Sequence, residues 1–470
     1  MQIVNKNSRN LPIFKTYWLI LLAIAMRFLE TNLTYSYIIL AFYALFGHTH
    51  AIQALVICFF LRSLNPNLQI ITPSGTSTGF LSYLVILSSI FSIFFHLKFV
   101  VIRKFFFKIS TFILLTFFFI FFLFFHGIFI SQSIFISITK IILWSSLSVS
   151  LLLAFYSLSI QETLQLKKSF FWFFLILILI SFILHFIPSI GYSWDKRGLN
   201  GIFYHPQTFG TVVALFSSIV FIILLQEKYF SLKTFFLLIL FILCFILTFI
   251  SASRTAYFSL LLSILTFMIY SIFLKKKYFF KIYDILLNKT FNIYIIAILL
   301  VLIILSYLHY EEFSIFIKKG YDVNNLTELY FSTRSVVIDP LIENIKSKWL
   351  TGIGFGLTSK FDPIILDINN FDRVLFFLIE YRPQAEKGVI FLLVLEELGI
   401  IGLIIFVIWL ISLISRTIRL GKNIELIIIF IILFTNLGEA VLFAPGGLGL
   451  LFIILIFWAG TRSNQRSTIK

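Results

Sequence analysis

The chain has 470 residues, is 60% hydrophobic, contains 62 phenylalanines and has a mean hydropathy of +1.05. This composition argues against a soluble domain with its own core and indicates a polytopic membrane protein. The formal net charge of +17 would favour nucleic acid as the partner of a soluble chain. In a membrane protein the topology explains most of this charge, so we expect no nucleic-acid partner.

Apolar runs of roughly 17–25 residues, the length that crosses a hydrocarbon core of about 30 Å, fill most of the chain. We predict an all-α fold of about 12–14 transmembrane helices, the first of them a retained helix rather than a cleaved signal peptide. The candidate spans are roughly 15–29, 34–47, 51–64, 80–97, 111–130, 134–159, 169–187, 206–226, 232–250, 254–274, 290–309, 388–412, 424–442 and 447–460. The run Phe117–Phe125 is interpreted as bilayer-facing filler.

One long, largely polar segment, residues 310–387, interrupts these apolar runs. It divides the chain into an N-terminal transmembrane bundle (1–309), a large outer loop that carries short helices (310–387), and C-terminal helices with a tail (388–470). Because a membrane enzyme that works at one face needs such an element, this loop is the first place to look for a site.

Lysine and arginine predict the orientation of the bundle, because short cytoplasmic connections are enriched in both. Clusters occur in 98–110, 167–168, 228–233, 275–289, 416–422 and 462–470, and they are separated by even numbers of spans. With an even span count, both termini face the cytoplasm and the large loop faces outside.

Four cations fall near the outer ends of predicted helices: Arg27, Arg62, Lys140 and Arg254. Each can be explained by a side chain that reaches toward the outer headgroups. The positive-inside tendency disfavours cations at this face, so the group together also suits an anionic partner. A lipid-linked diphosphate would suit guanidinium groups well.

Three polar segments carry the chemistry. The first is 197–210, RGLNGIFYHPQTFG, which runs from an outer loop into a helix; the second is 251–256, SASRTA, at the outer start of another helix. The third lies in the large loop: STR at 332–334, an amphipathic stretch to Trp349, TGIGFG at 351–356, AEKG at 385–388 and LEELGIIG at 395–402. We expect the glycines of 352–356 to form a turn, not a nucleotide site.

In this order the segments resemble the O-antigen ligase/O-antigen polymerase superfamily of bacterial envelope glycosyltransferases, over roughly residues 195–410. The resemblance implies metal-independent, inverting glycosyl transfer from an undecaprenyl-diphosphate-linked oligosaccharide at the outer face of the bacterial inner membrane. The large loop is then periplasmic, and neither a metal nor a cofactor is expected. Membrane lipid is a further expected partner, and an exposed helix within 333–349 could dock a chain-length regulator protein.

The resemblance also implies roles for single residues. Arg254 and Arg334 would hold the diphosphate, and Glu386 stands where ligases have a histidine, which favours polymerase over ligase. A carboxylate, Glu386 first and Glu439 second, would take the proton from the attacking sugar hydroxyl. The further substrate-binding candidates are Arg197, His205 and Lys140.

Each candidate has a plainer interpretation. Arg254 and Lys140 can be anchors that reach the headgroups, Arg334 a solvated charge, and Glu386 a partner of Lys387 or Arg382. Glu439 can be satisfied structurally, and His205 can cap its loop. The alternative functions are an O-antigen ligase with a lipid A–core acceptor, a flippase for lipid-linked glycans, and a structural partner in an envelope assembly. A flippase would carry broken helices and polar residues near the midplane, and paired repeats.

Overall fold

A computed structural model describes residues 13–29, 34–65, 68, 79–97, 110–192, 198–227, 231–274, 338–357, 359 and 388–461. The structure is 82% helical, with no strand in these ranges. Seven described helices are long and apolar enough to cross a membrane, and five shorter apolar helices accompany them. The chain is therefore an all-α polytopic membrane protein.

The described helices follow the predicted spans closely; the span 290–309 and most of the large loop lie outside the described residues. They are α1 (Ile13–Leu29), α2 (Thr34–Ala44), α3 (His48–Arg62), α4 (Gly79–His96), α5 (Thr111–Phe129), α6 (Ile134–Ser157), α7 (Ile160–His185), the single turn α8 (Pro188–Gly191), α9 (Pro206–Gln226), α10 (Leu232–Ile250), α11 (Arg254–Leu274), α12 (Ile390–Arg419), α13 (Asn423–Asn436) and α14 (Leu448–Gly460). Residues 338–348 form one further helix, which we name the loop helix.

Three helix ends differ from the prediction by more than three residues, and one of them, the end of α12, lies at Arg419 instead of 412. Helix α7 begins nine residues before the predicted 169. Ser159 and Glu162 form a capping box there: the Ser159 hydroxyl accepts from the Glu162 amide at 3.2 Å, and the Glu162 carboxylate accepts from the Ser159 amide at 2.8 Å. This pair satisfies two amides at the helix start. Helix α13 ends at Asn436 instead of continuing to 442.

The bundle has two distinct ends. We name the first the motif end. Here the last residues of α3 lie beside the start of α9, and the Tyr204 amide donates to the Ser63 carbonyl at 2.7 Å. At the opposite end, Lys167 of α7 pairs with Glu425 of α13 at 2.8 Å. Arg419 and Lys422 line the same cavity as Lys167. The basic residues of 167–168 and of 416–422 therefore lie at the same end of the bundle, as the alternation of charge along the sequence predicts.

Helices α13 and α14 are short, and the loop between them, residues 437–447, is central to the motif end. Helix α13 has 14 residues and α14 has 13. They therefore rise only about 21 and 20 Å, less than the roughly 30 Å of a hydrocarbon core. The loop therefore dips toward the membrane interior, where its backbone groups need partners. Asn436 supplies one: its side-chain oxygen accepts from the amides of Val441 and Leu442, both at 3.0 Å.

An aromatic cluster packs the helices beneath this loop. Phe119 of α5 lies 5.9 Å from the Trp144 ring and 6.0 Å from the Trp409 ring, centroid to centroid, and Trp144 lies 5.6 Å from Phe443 of the 437–447 loop. The Trp409 indole N–H donates to the Thr116 hydroxyl at 2.9 Å. Packing and interhelical hydrogen bonds of this kind hold helices together in lipid, where the hydrophobic effect does not.

Candidate functional site

The glycines of the large loop form a turn, as predicted. Gly352, Gly354 and Gly356 have φ values of +75°, +130° and +83°, a region that side chains with a Cβ rarely adopt. The turn lies on α12: the Gly354 amide donates to the Glu397 carbonyl at 3.0 Å. A methyl group at Gly352 would lie 2.5 Å from the Glu397 carbonyl carbon. Glycine is therefore required both by conformation and by contact.

Helix α12 is broken at Gly399, where φ is +66° and ψ is −172°. The break lets the Ile400 amide donate to the Trp349 carbonyl at 2.9 Å, which joins the loop to the helix. Residues 400–419 alone rise about 30 Å, enough to cross the hydrocarbon core. The break thus lies near the edge of the bilayer, and residues 390–398 belong to the motif end.

Two adjacent carboxylates, Glu396 and Glu397, are buried at this break, with 0% and 1% of their surface exposed. Glu397 Oε2 accepts from the Gly356 amide at 2.7 Å, and Glu396 Oε1 accepts from the Asn344 side chain at 2.8 Å. One carboxylate therefore holds the glycine turn and the other holds the loop helix. In the sequence they belong to the segment that enters the next helix, and no role was assigned to either residue. The sequence does contain a signal for their role: two acidic residues lie together in an apolar helix, where carboxylates cost free energy unless they have partners.

Lys140 of α6 lies against the glycine turn. Its Nζ is 5.3 Å from the centroid of the Phe355 ring, and a methyl group at Gly356 would lie 3.0 Å from the same atom. Ser137, one turn earlier on α6, donates from its hydroxyl to the Phe355 carbonyl at 2.9 Å. The position thus differs from that of a simple headgroup anchor: the ammonium contacts the same turn that Glu397 holds.

Arg254 is the first residue of α11, and the serines before it shape its position. Ala252 has φ +55°, and the Ser251 hydroxyl accepts from the Ser253 amide at 3.3 Å while donating to the Thr248 carbonyl at 2.6 Å. The Ser253 hydroxyl is 2% exposed and has no hydrogen-bond partner within the described ranges. A buried hydroxyl that has no partner among the described residues therefore lies beside the arginine at a helix start.

The first and second segments contact each other directly. The Leu199 amide donates to the Ile250 carbonyl at 3.1 Å, and a methyl group at Gly210 would lie 2.6 Å from the Ser251 hydroxyl oxygen. His205 caps α9, because its Nδ1 accepts from the Gln207 amide at 3.2 Å. The capping interpretation of His205 is thus correct, and it leaves the histidine at the motif end.

The 437–447 loop joins these segments to the glycine turn. A methyl group at Gly438 would lie 2.6 Å from Thr255 Cγ2 at the start of α11. Phe443 packs edge-on against Phe355, with centroids 5.4 Å apart. Glu439 lies between these two contacts and is 3% exposed. It is a loop residue, not the helical residue that the span 424–442 predicts.

The motif end thus brings together Lys140, His205, Arg254 and Glu439 on four neighbouring elements. Arg197, Arg334 and Glu386, the other predicted site residues, lie outside the described residues. Over the ranges that the structure describes, no three His, Cys, Asp or Glu side chains form a group suited to a metal ion.

No protein-family model matches the chain, and no curated protein matches it either. The fold and the candidate site define the class of the protein. It is a polytopic helical membrane protein whose polar segments converge at one end of the bundle, with buried carboxylates and partly exposed cations among them.

Proposed function

We propose that the protein is a bacterial envelope polysaccharide polymerase. In this proposal it joins undecaprenyl-diphosphate-linked repeat units of O-antigen, capsule or exopolysaccharide by inverting glycosyl transfer. The single observation that carries the proposal is that the three polar segments, which we call the motif segments, converge at one end of the bundle. Segments 198–210, 251–256, 351–356 and 395–402 are far apart in sequence, yet each contacts another of them or the 437–447 loop. Such convergence at one end of a membrane bundle is what a site for a lipid-linked substrate needs.

The start of α11 is suited to a diphosphate. A helix N-terminus carries partial positive charge and amides directed at the ligand, and Arg254 adds a full charge with a planar donor set. The Ser253 hydroxyl, buried and without a partner in the described chain, supplies a further donor. Lys140, on the other side of the 437–447 loop, adds a second cation at the same end.

The reaction follows from these groups. A sugar hydroxyl attacks the anomeric carbon of the donor, the bond from that carbon to the diphosphate oxygen breaks, and undecaprenyl diphosphate leaves. Arg254, together with Arg334, stabilises the negative charge that develops on the leaving oxygen. A carboxylate takes the hydroxyl proton. Glu386 is the first candidate and Glu439, buried beside the start of α11, the second.

A flippase for the same glycans is the second candidate, favoured by the break in α12 and by the short helices α13 and α14. Transporters use such discontinuous helices near the midplane. Here the break at Gly399 leaves a complete span after it, so it lies near one face. This position favours an enzyme that works at that face.

The test is a chain-extension assay. The purified protein in lipid nanodiscs is incubated with undecaprenyl-diphosphate-linked repeat units from its host, and product masses are recorded. We expect a ladder that grows on the same lipid, and Arg254→Gln to slow it by about 10²–10³-fold, the typical cost of removing one donor to a developing oxyanion. Lys168→Gln is the matched control, because Lys168 is exposed at the opposite end.

Other products would redirect the proposal. Glycosylation of added lipid A–core without a ladder identifies a ligase. Unchanged substrate in both reactions, together with movement of labelled lipid-linked glycan across the membrane, identifies the flippase. A ladder that Arg254→Gln leaves unchanged would show that Arg254 does not stabilise the leaving group.

A further inference from the structure

A cavity of about 490 Å³ opens at the end of the bundle opposite the candidate site. Four helices, α7, α9, α12 and α13, and the α12–α13 connection border it, and it is rich in charge. The lining residues that matter are Thr163, Lys167, Gln226, Arg419, Lys422 and Glu425. None of them belongs to the motif segments, so the cavity is separate from the proposed polymerase site.

The charges in this cavity do not balance. Three cations, Lys167, Arg419 and Lys422, line it with one carboxylate, Glu425. Lys167 pairs with that carboxylate at 2.8 Å, and Lys422 donates to two backbone carbonyls, at 2.7 and 3.1 Å. Arg419 is exposed and has neither an ion pair nor a hydrogen bond with the part of the chain that the structure describes. An excess of positive charge therefore faces the open space.

The pKa of Lys422 reflects both its burial and this excess of positive charge. Burial lowers its pKa to about 8; Glu425 opposes the shift, whereas the neighbouring cations Lys167 and Arg416 add to it. Arg419 faces the same cavity from the end of α12. An anion bound among these groups would offset the repulsion and favour the charged form of the lysine.

We propose that this cavity binds a phosphate group, carried either by an anionic membrane lipid or by a soluble phosphate. Tetrahedral phosphate oxygens match the donors of Arg419 and the two lysines. Basic pockets between transmembrane helices at the membrane surface bind anionic headgroups in this way. The start of α13, at Asn423, has no side-chain cap and adds the positive end of its dipole. The proposal does not depend on the polymerase function.

Native mass spectrometry and calorimetry of the purified full-length protein test it. One arm titrates inorganic phosphate in an uncharged detergent. The other measures retention of phosphatidylglycerol against phosphatidylcholine, a zwitterionic control. We expect binding in at least one arm and a loss of about tenfold in Arg419→Gln, the size of one charge-assisted hydrogen bond. Lys168→Gln, with the same change of charge on an exposed residue outside the cavity, should retain full binding.

A second readout is the pH dependence of phosphatidylglycerol binding, since a phosphodiester does not titrate above neutral pH. Affinity should fall as pH rises above about 8, where Lys422 loses its proton, and the fall should be absent in Lys422→Gln. Binding in the lipid arm alone identifies a headgroup, and binding in the phosphate arm identifies a soluble anion. No binding in either arm, or equal losses in Arg419→Gln and Lys168→Gln, would overturn the proposal.

Discussion

The hydrogen bond between Glu397 and the glycine turn should determine how firmly the large loop is held on α12. Glu397 Oε2 accepts from the Gly356 amide at 2.7 Å, and both residues are buried. Hydrogen bonds to charged groups contribute about 1.5–3 kcal/mol. Glu397→Gln keeps the shape and removes the charge. We expect local opening of the turn to become easier by about 2 kcal/mol, which is about 30-fold in the opening equilibrium.

Hydrogen–deuterium exchange of the protein in nanodiscs measures this directly. Amides of 352–357 should exchange about 30-fold faster in Glu397→Gln, while peptides from α9 and α14 stay unchanged. Glu396→Gln is the matched control, because the neighbouring carboxylate holds Asn344 at 2.8 Å instead of the turn. Its effect should appear in the loop helix, 338–348.

Unchanged exchange of 352–357 in Glu397→Gln would refute the reasoning, since it would mean that backbone contacts alone hold the turn. Faster exchange throughout the bundle would also contradict it, because the effect would then be global destabilisation. Only a local increase separates the charge-assisted bond from the packing around it.

Three further predictions concern other buried polar contacts. Asn436→Ala removes the acceptor of two loop amides and should cost about 2–4 kcal/mol, seen as faster exchange in 437–447; Asn436→Asp keeps the acceptor and should cost less. Thr116→Val leaves the Trp409 indole N–H without its acceptor and should lower the thermal midpoint, whereas Thr116→Val with Trp409→Phe should cost less than the sum of the two single changes. Lys422, with its pKa near 8 against an ordinary 10.5, should make the protein more stable as pH rises from 8 to 10.5, by up to about 3 kcal/mol. Lys422→Met should flatten that dependence in phosphate-free detergent.

The helices could be predicted from sequence because the length of an apolar run is nearly sufficient to define a span. Helices α9, α10 and α11 match their predicted ranges. Among the ends that differ from the prediction, two depend on particular polar side chains: the Ser159–Glu162 capping box extends α7, and Asn436, at the end of α13, accepts from loop amides. Hydropathy carries no information on either.

Helix faces were harder to predict. For the run Phe117–Phe125 the sequence predicts bilayer-facing filler. Phe121 is 70% exposed, but Phe119 is fully buried between Trp144 and Trp409. A run of nearly identical apolar residues has no amphipathic pattern. The buried face is therefore set by the neighbouring helices, which sequence periodicity does not reveal.

At the candidate site, the glycine motif correctly predicted a turn but not its partners. Gly356 contacts Lys140 and Glu397, and these residues lie on two different helices. A spacing pattern reports local backbone geometry, whereas such contacts depend on how helices pack. The order of the segments predicts that they act together, and the structure adds the contacts through which they meet.

The 437–447 loop explains how such distant segments form one unit. Gly438 packs against the start of α11, and Phe443 packs against Phe355 of the glycine turn. Helices α13 and α14 are too short to carry this loop to the membrane surface. It therefore lies within the motif end, between the start of α11 and the glycine turn. The loop thus links the start of α11, where Arg254 lies, to the glycine turn beside Lys140, and Asn436 holds the backbone of the loop. In the proposed function, the cations that hold a diphosphate must keep a fixed separation, and we expect this loop to help maintain it.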